Sequence, residues 1–558
     1  MKTFLTYATL VGVLLVSQLP ALAQPIPVSY RPDVTINHVM DVNLTATRLD
    51  KDPITGELYY STVSGNIYKI IQPVAGAAYD TLVADSNLHL ITYVQGMCFH
   101  DSSIFISGNQ TASSPLTRGV VARGRLQPNG TRIWNIVALS VPYETADYFD
   151  HLFSGSIINS TGDSIYICSG ARGDHGEIQT RYGLYPGVRN KSFTSCILKI
   201  PIDGDSLIIP DDSVMLDNSN LILCRGIRNT YDFAYNGNSD LFGAENSGDR
   251  DMDDELNWIR SGRHYGFPWI MGSTYNPQQF PGFDSSADIM INHTCTSWLQ
   301  GFFTNDSLFP AIPSGLTFSE PCKNYGPDGD QFRDSTNGMI MDASVLGTSV
   351  SSFTAHRSPL GLVFDTDSVL DGGFRGAGFV TCYTRGDSSF NGYSTLLAPF
   401  GDPGEDILHL EMEKDLNGEN YSFHSTRIAG GFPHPVDMVL DSNVLYLIEV
   451  SYGGTASLWS ITLPSFNVGV GEHRISTFSV YPNPANDFLN CKFQSKDSKM
   501  ISVAIYDLLG NKIIQDNFQP VIGENKLTIN VAELSTGSYL ARVTSQTESQ
   551  VIKFSILH

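Results

Sequence analysis

Past its first two dozen residues, this sequence has no apolar run approaching the roughly 20 residues that a membrane-crossing helix needs. Its 8 cysteines are scattered, with no CxxC pair and no CxxCH, so neither a zinc ribbon nor covalently attached haem is supported. Basic side chains are scarce: 34 Lys and Arg face 57 Asp and Glu, a formal net charge of -23. That balance repels nucleic acid and anionic membranes, and suits a neutral or cationic partner or a bound divalent metal. Helical periodicity is also rare; most apolar residues alternate in short runs closed by turn residues, the pattern of an all-β chain.

What is present begins with a leader. "MKTFLTYATLVGVLLVSQLPALAQ" has Lys2, an apolar stretch, then Ala21-Leu22-Ala23 before Gln24. Residues 1–23 are expected to be a secretory signal and the mature protein to be exported. Export permits cysteine pairing. Cys295 with Cys322, flanking one polar irregular segment, is the expected disulfide, and Cys168 with Cys196 the next.

A unit then recurs: an apolar strand, a turn with Asp, Asn or Gly, and a second strand. The clearest copy runs from Ala46 to Ile70; others start at Gly96, Gly155, Tyr231, Gly361 and Val436. Six restarts of one hairpin predict a six-bladed β-propeller over residues 24–463. Residues 271–334, rich in aromatics, Pro, Asn and Ser, break the pattern and read as an insertion over one face. Residues 464–475 form a linker. Residues 476–558 then offer about seven short alternating strands, the pattern of an immunoglobulin-like β-sandwich.

That tail resembles the C-terminal sorting domain of type IX secretion substrates in the Bacteroidetes. The resemblance rests on Tyr481-Pro482-Asn483-Pro484-Ala485, Tyr506-Asp507-Leu508-Leu509-Gly510 and Leu534-Ser535-Thr536-Gly537-Ser538-Tyr539. It implies the type IX machinery as a partner, and release from the cell or attachment to its surface.

Chemistry-bearing residues cluster in three stretches. Asp150-His151 stands at the mouth of the hairpin that Ser154-Gly155 begins. Gly226-Ile227-Arg228-Asn229 opens the unit at Tyr231. "AENSGDRDMDDELNWIRSGRHYGFPW" spans Ala244 to Trp269. A neutral imidazole suits removal of a hydroxyl proton near physiological pH, and a neighbouring carboxylate can fix its tautomer. A fixed guanidinium favours an acceptor that gains negative charge.

On these stretches, residues from about Asn37 to Leu463 resemble the glucose/sorbosone dehydrogenase family, six-bladed propellers that oxidise sugars with pyrroloquinoline quinone (PQQ) and calcium. The resemblance implies a sugar or polyol substrate, PQQ and Ca²⁺ as cofactors, and an external electron acceptor, there being no haem motif. It makes His151 the general base, with Asp150 beside it and Arg228 at the quinone oxygens. Asn229, Arg385 and Gln95 become cofactor contacts. Backbone carbonyls at Ser247 and Gly248 fall where the family holds the cofactor-bound calcium, while Asp254, Glu255 and the Tyr265 carbonyl match a second, structural ion. The chain departs from the pattern at several points. Leu152 and Phe153 make the spacing after His151 one residue longer, Ser247-Gly248 replaces Gly-Pro, Arg250-Asp251 is inserted, and the family lysine has no counterpart. The rival reading is a non-catalytic propeller that binds carbohydrate or protein and uses calcium structurally.

Overall fold

The repeated hairpins set the architecture. In the computed structural model, which describes residues 26–113, 116–386, 395–452, 454–465, 475–495, 498–507, 512–544 and 549–558, each of the six copies contributes the first strand of a separate sheet. These first strands are β1 (Ala46–Lys51), β2 (Tyr93–His100), β3 (Phe153–Ile158), β4 (Thr230–Tyr235), β5 (Pro359–Phe364) and β6 (Pro435–Asp441). Each continues outward through antiparallel strands, as β1 does through Leu58–Thr62, Ile67–Ile71 and Tyr79–Ala84. The expected signal at residues 1–23, most of the expected linker and Leu508-Leu509-Gly510 lie outside the described residues.

The first strands touch one another in a closed cycle, β1 to β2, β3, β4, β5, β6 and back to β1, which makes the fold all-β and propeller-like. Two devices draw them together. Side chains of one strand cap backbone N–H groups of the next: Asp50 accepts from Phe99, Asp232 from Leu362 and Asp437 from Leu49. Small residues also allow backbone contact. A Cβ on Gly155 would lie 2.3 Å from the Tyr231 carbonyl oxygen, so β3 and β4 could not approach as they do with any larger residue. The ring closes through the N-terminal strand Thr35–Val42, which pairs with Ala456–Thr462 as the outermost strand of the β6 sheet.

The propeller-like unit extends to Pro464, and a second compact unit covers Ser465–His558. In the second unit, a three-stranded and a four-stranded sheet share one core. Alternation explains it: Phe488–Ser495 turns Leu489, Cys491 and Phe493 inward and keeps Asn490 and Lys492 outward.

The two expected disulfides need correcting. All eight cysteines are free thiols. Cys295 packs with Ile291 and Phe303, whereas Cys322 sits in a different core with Leu256 and Tyr421. Cys168 and Cys196 lie one register step apart on paired strands, so they face opposite sides of their sheet and join different cores. Near the end of residues 271–334, Lys323–Pro327 pairs in parallel with Tyr421–Gly430 of the β5 sheet.

Candidate active site

Asp150 and His151 sit immediately before β3, between Phe149 and Leu152, which both have positive φ (57° and 61°). Left-handed backbone at two non-glycine residues is costly, and it is held here by packing. Gly170 makes room for the bend: a Cβ there would lie 2.5 Å from His151 Cβ and 3.2 Å from the Arg228 carbonyl oxygen.

One residue, Ala171, joins the two sequence-predicted residues through its backbone. The Ala171 N–H donates to the Arg228 carbonyl (2.7 Å), while the Ala171 carbonyl accepts from the His151 backbone N–H (3.1 Å) and from His151 Nδ1 (3.0 Å). A carbonyl can only accept, so Nδ1 carries the proton and Nε2 keeps its lone pair. Burial, then the nearby Arg228 charge, push the imidazole pKa down from 6.5 to about 3, so the ring is neutral at physiological pH.

The tautomer is therefore fixed by Ala171 and not, as expected, by Asp150. The Asp150 carboxylate turns the other way, accepting from the Ala146 N–H (2.8 Å) and lying 3.5 Å from Nε of the buried Arg172. The carboxylate–imidazole contact occurs instead at Asp174 and His175, a pair the sequence reading passed over. His175 Nδ1 lies 3.0 Å from Asp174 Oδ2, and its ring stacks on Phe303 at 4.6 Å. The available signal was a second Asp-His pair, bracketed by Gly173 and Gly176 just after the strand Ser164–Ser169.

Asp174 is the anchor of Arg228. Arg228 Nε donates to the Asp174 carbonyl (2.7 Å), Nη2 to Asp174 Oδ1 (2.9 Å) and Nη1 to the Asn246 carbonyl (3.1 Å). Burial opposes ionisation of Asp174, but the hydrogen bond from His175 and the Arg228 charge outweigh it and hold the carboxyl well below its usual range. Asn229 follows at the entry to β4, half-buried.

The 246–254 loop reaches the same cluster. The Asp249 N–H donates to both Asp174 oxygens, and Gly248 packs so closely on Asp174 that a Cβ would lie 2.9 Å from Oδ1. Asp254 braces the loop, accepting from the N–H and hydroxyl of Ser247 (both 2.7 Å) and from the Ser358 N–H (2.9 Å). Among the described residues, the carbonyls of Ser247 and Gly248 accept no hydrogen bond, so both oxygens are available to a cation.

The residues of the second calcium set each make hydrogen bonds within the protein. Asp254 is filled by Ser247 and Ser358, whereas Glu255 accepts from the Gly272 N–H (2.7 Å) and Asn257 Nδ2 (2.8 Å) beside Glu245, its register partner. Tyr265 donates its backbone N–H to the Arg225 carbonyl and its hydroxyl to the Trp258 carbonyl. Among the described residues, no three His, Cys, Asp or Glu side chains come together as a metal site. Burial, and then repulsion from Glu245, raise the Glu255 carboxyl well above its usual range.

The remaining predicted residues lie at the entries of other first strands. Gln95 is in β2; its carbonyl accepts from Nε of Arg48 (2.5 Å), whose guanidinium stacks 3.8 Å from the Tyr231 ring centroid. Arg385 ends the strand paired with β5 and lies 3.8 Å from Glu405. Glu405 also faces His434, which stacks on Tyr383 at 4.9 Å. His151, Arg228, Ser247 and Gly248 thus form one contiguous cluster through Ala171 and Asp174, while Gln95 is tied to Arg48 and Tyr231.

The fold is all-β and propeller-like, with His151 and Arg228 tied to one residue, Ala171. The Glucose / Sorbosone dehydrogenase family model matches residues 97–312, and the Secretion system C-terminal sorting domain model matches residues 479–557. Both resemblances read from the sequence are therefore met by a family-model match, the first over residues 97–312 and the second over residues 479–557. No curated protein matches the chain. Similar solved structures include the PQQ-bound aldose sugar dehydrogenase of Streptomyces coelicolor, at 13% identity and a TM-score of 0.44, covering 78% of this chain and 99% of that one. The holo pyranose dehydrogenase PQQ domain of Coprinopsis cinerea is 12% identical with a TM-score of 0.49, covering 79% and 99%. A glucose dehydrogenase from Thermus thermophilus is 14% identical with a TM-score of 0.46, covering 77% and 99%.

Proposed function

We propose that this protein is an exported quinone-dependent dehydrogenase that oxidises a sugar or polyol hydroxyl at one mouth of a six-bladed β-propeller. One observation carries the reading: His151 commits Nδ1–H to the Ala171 carbonyl and keeps Nε2 free, while the N–H of the same residue ties it to Arg228. The family match over residues 97–312, which contains both, supports it.

PQQ, when bound, supplies the acceptor for a hydride and its electron pair. The residues of this chain do the rest. His151 Nε2 takes the proton of the substrate hydroxyl; with the ring neutral above about pH 3, it is ready to do so across the physiological range. Arg228, fixed by Asp174 and Asn246, presents positive charge where negative charge develops, without reorganising. Asn229, Gln95 and Arg385 supply further cofactor contacts. The Ser247 and Gly248 carbonyls would hold Ca²⁺, with Asp254 bracing their loop. Electrons pass to an external acceptor. The C-terminal unit, an immunoglobulin-like sandwich, hands the protein to the type IX machinery for release or surface attachment, which the sorting-domain match supports.

The test is reconstitution of full-length protein with PQQ and Ca²⁺, followed by dye reduction over a panel of aldoses and polyols. Calcium-dependent quinone binding with turnover is expected. Glycan binding with no uptake of quinone would replace this reading with that of a non-catalytic carbohydrate-binding propeller.

A further inference from the structure

Next to the site just described, residues 271–334 fold against the Gly173–Ile178 loop and leave a cavity of about 130 Å³, open on one side and lined by His175, Gln278, Phe302, Thr304, Asn305 and Phe309. Gln278 is only 2% exposed, yet neither its amide oxygen nor its amide nitrogen has a hydrogen-bond partner. Buried polar side chains are nearly always paired, so an amide left unpaired at both ends points to a ligand.

The chemistry of the lining selects that ligand. The Gln278 amide must donate from nitrogen and accept at oxygen at once, which a hydroxyl group can satisfy and a metal ion cannot. The nearby carboxylates are already committed. Glu177 accepts from the N–H groups of Asp174 and His175 and from Gln179 Nε2. Asp306 accepts from the Leu308 N–H and pairs with Arg189. The acids at the lining face His175 and Arg189, charges that offset one another, so the cavity suits an uncharged group. Phe302 and Phe309 add apolar ring surface of the kind that the C–H face of a sugar covers, and exposed Asn305 and Thr304 place amide and hydroxyl groups at the lip. The volume admits the edge of one ring, and the open side lets a chain continue outward.

We infer that this cavity is a second carbohydrate site, formed by the 271–334 segment, which takes the hydroxyl-bearing edge of a neutral oligosaccharide unit through the Gln278 amide. It is separate from the oxidising centre, although His175 links it through Asp174 to Arg228. Occupancy anchors a glycan beside the mouth while another unit of the chain is oxidised.

The experiment is calorimetric titration of full-length, quinone-free protein with cellotetraose, xylotetraose and maltotetraose. At least one is expected to bind, and Gln278→Leu is expected to weaken that binding at least tenfold. Thr304→Trp blocks the lip from outside without touching the buried amide, and should do the same even if Gln278→Leu fails to fold. His151→Gln should leave binding intact, so this inference and the dehydrogenase reading fail independently. Absence of binding by all three tetraoses, or unchanged affinity in Thr304→Trp, would overturn the proposal and leave a cavity filled by water.

Discussion

Replacing His151 with Gln removes the base and keeps a side-chain amide able to donate to the Ala171 carbonyl. In wild type that carbonyl holds both the His151 backbone N–H and Nδ1, so the loop should survive and the loss should be chemical. A positioned general base is worth about 10²–10⁴ in rate, or roughly 3–5 kcal/mol of barrier. The expected result is a fall in kcat of that size in PQQ- and Ca²⁺-reconstituted protein, followed by dye reduction, with quinone affinity nearly unchanged. Asp150→Asn gives the contrast. Asp150 faces Ala146 and Arg172 and not the imidazole, so kcat should stay within about tenfold while stability drops. The pH profile adds a second check. The folded-state pKa of His151 lies at about 3, below the usual 6.5, so the neutral form persists until the medium is strongly acid and no activity limb near pH 6.5 should arise from this residue. A His151→Gln variant with wild-type kcat, or a wild-type profile governed by a group near 6.5 that disappears in that variant, would refute the reasoning.

Three further outcomes concern the scaffold. Arg357 is fully buried between Asp402 and Asp406, which Arg427 also pairs, so Arg357→Met leaves two buried carboxylates to share one guanidinium and should cost about 3–5 kcal/mol, read by urea unfolding of the propeller unit. Burial raises Asp50 to about 7 and Glu449 to about 8, so the folded state holds protons that the unfolded chain releases above about pH 4. Stability from these groups is present at low pH and lost as pH rises through 7 to 8; the urea midpoint should be higher at pH 6 than at pH 8.5, and Glu449→Gln should flatten the difference. Finally, thiol titration in guanidinium without reductant should find eight free cysteines; a lower count would show pairing that the strand register forbids for Cys168 and Cys196.

The repeat was legible because a sheet's period of two and its turn residues are local properties. All six hairpin restarts, from Ala46 to Val436, fall on the first strands of the ring. Cysteine pairing was not legible, because it depends on which face of a sheet each thiol occupies and which core that face meets. Arg48 also escaped notice. Its sequence neighbours are those of any strand, and only closure of the ring brings it between Gln95 and Tyr231.

The Asp-His pairs show why residue identity finds a site before it finds the roles within it. Asp150-His151 and Asp174-His175 are the same dipeptide, and sequence reasoning assigned the carboxylate–imidazole contact to the first. Successive residues on extended or sharply bent backbone diverge, so adjacency in the chain works against contact unless a turn folds the side chains together. At 150–151 the positive-φ residues on either side send the carboxylate to Arg172 and the ring to Ala171. At 174–175, glycines on both sides and the stacking of His175 on Phe303 bring carboxylate and ring to 3.0 Å. The two environments then drive the imidazoles apart: burial beside Arg228 keeps His151 neutral, whereas Glu177 and Asp174 overcome burial and raise His175. One histidine is left able to accept a proton, and the other helps to hold, through Asp174, the guanidinium that stands beside it.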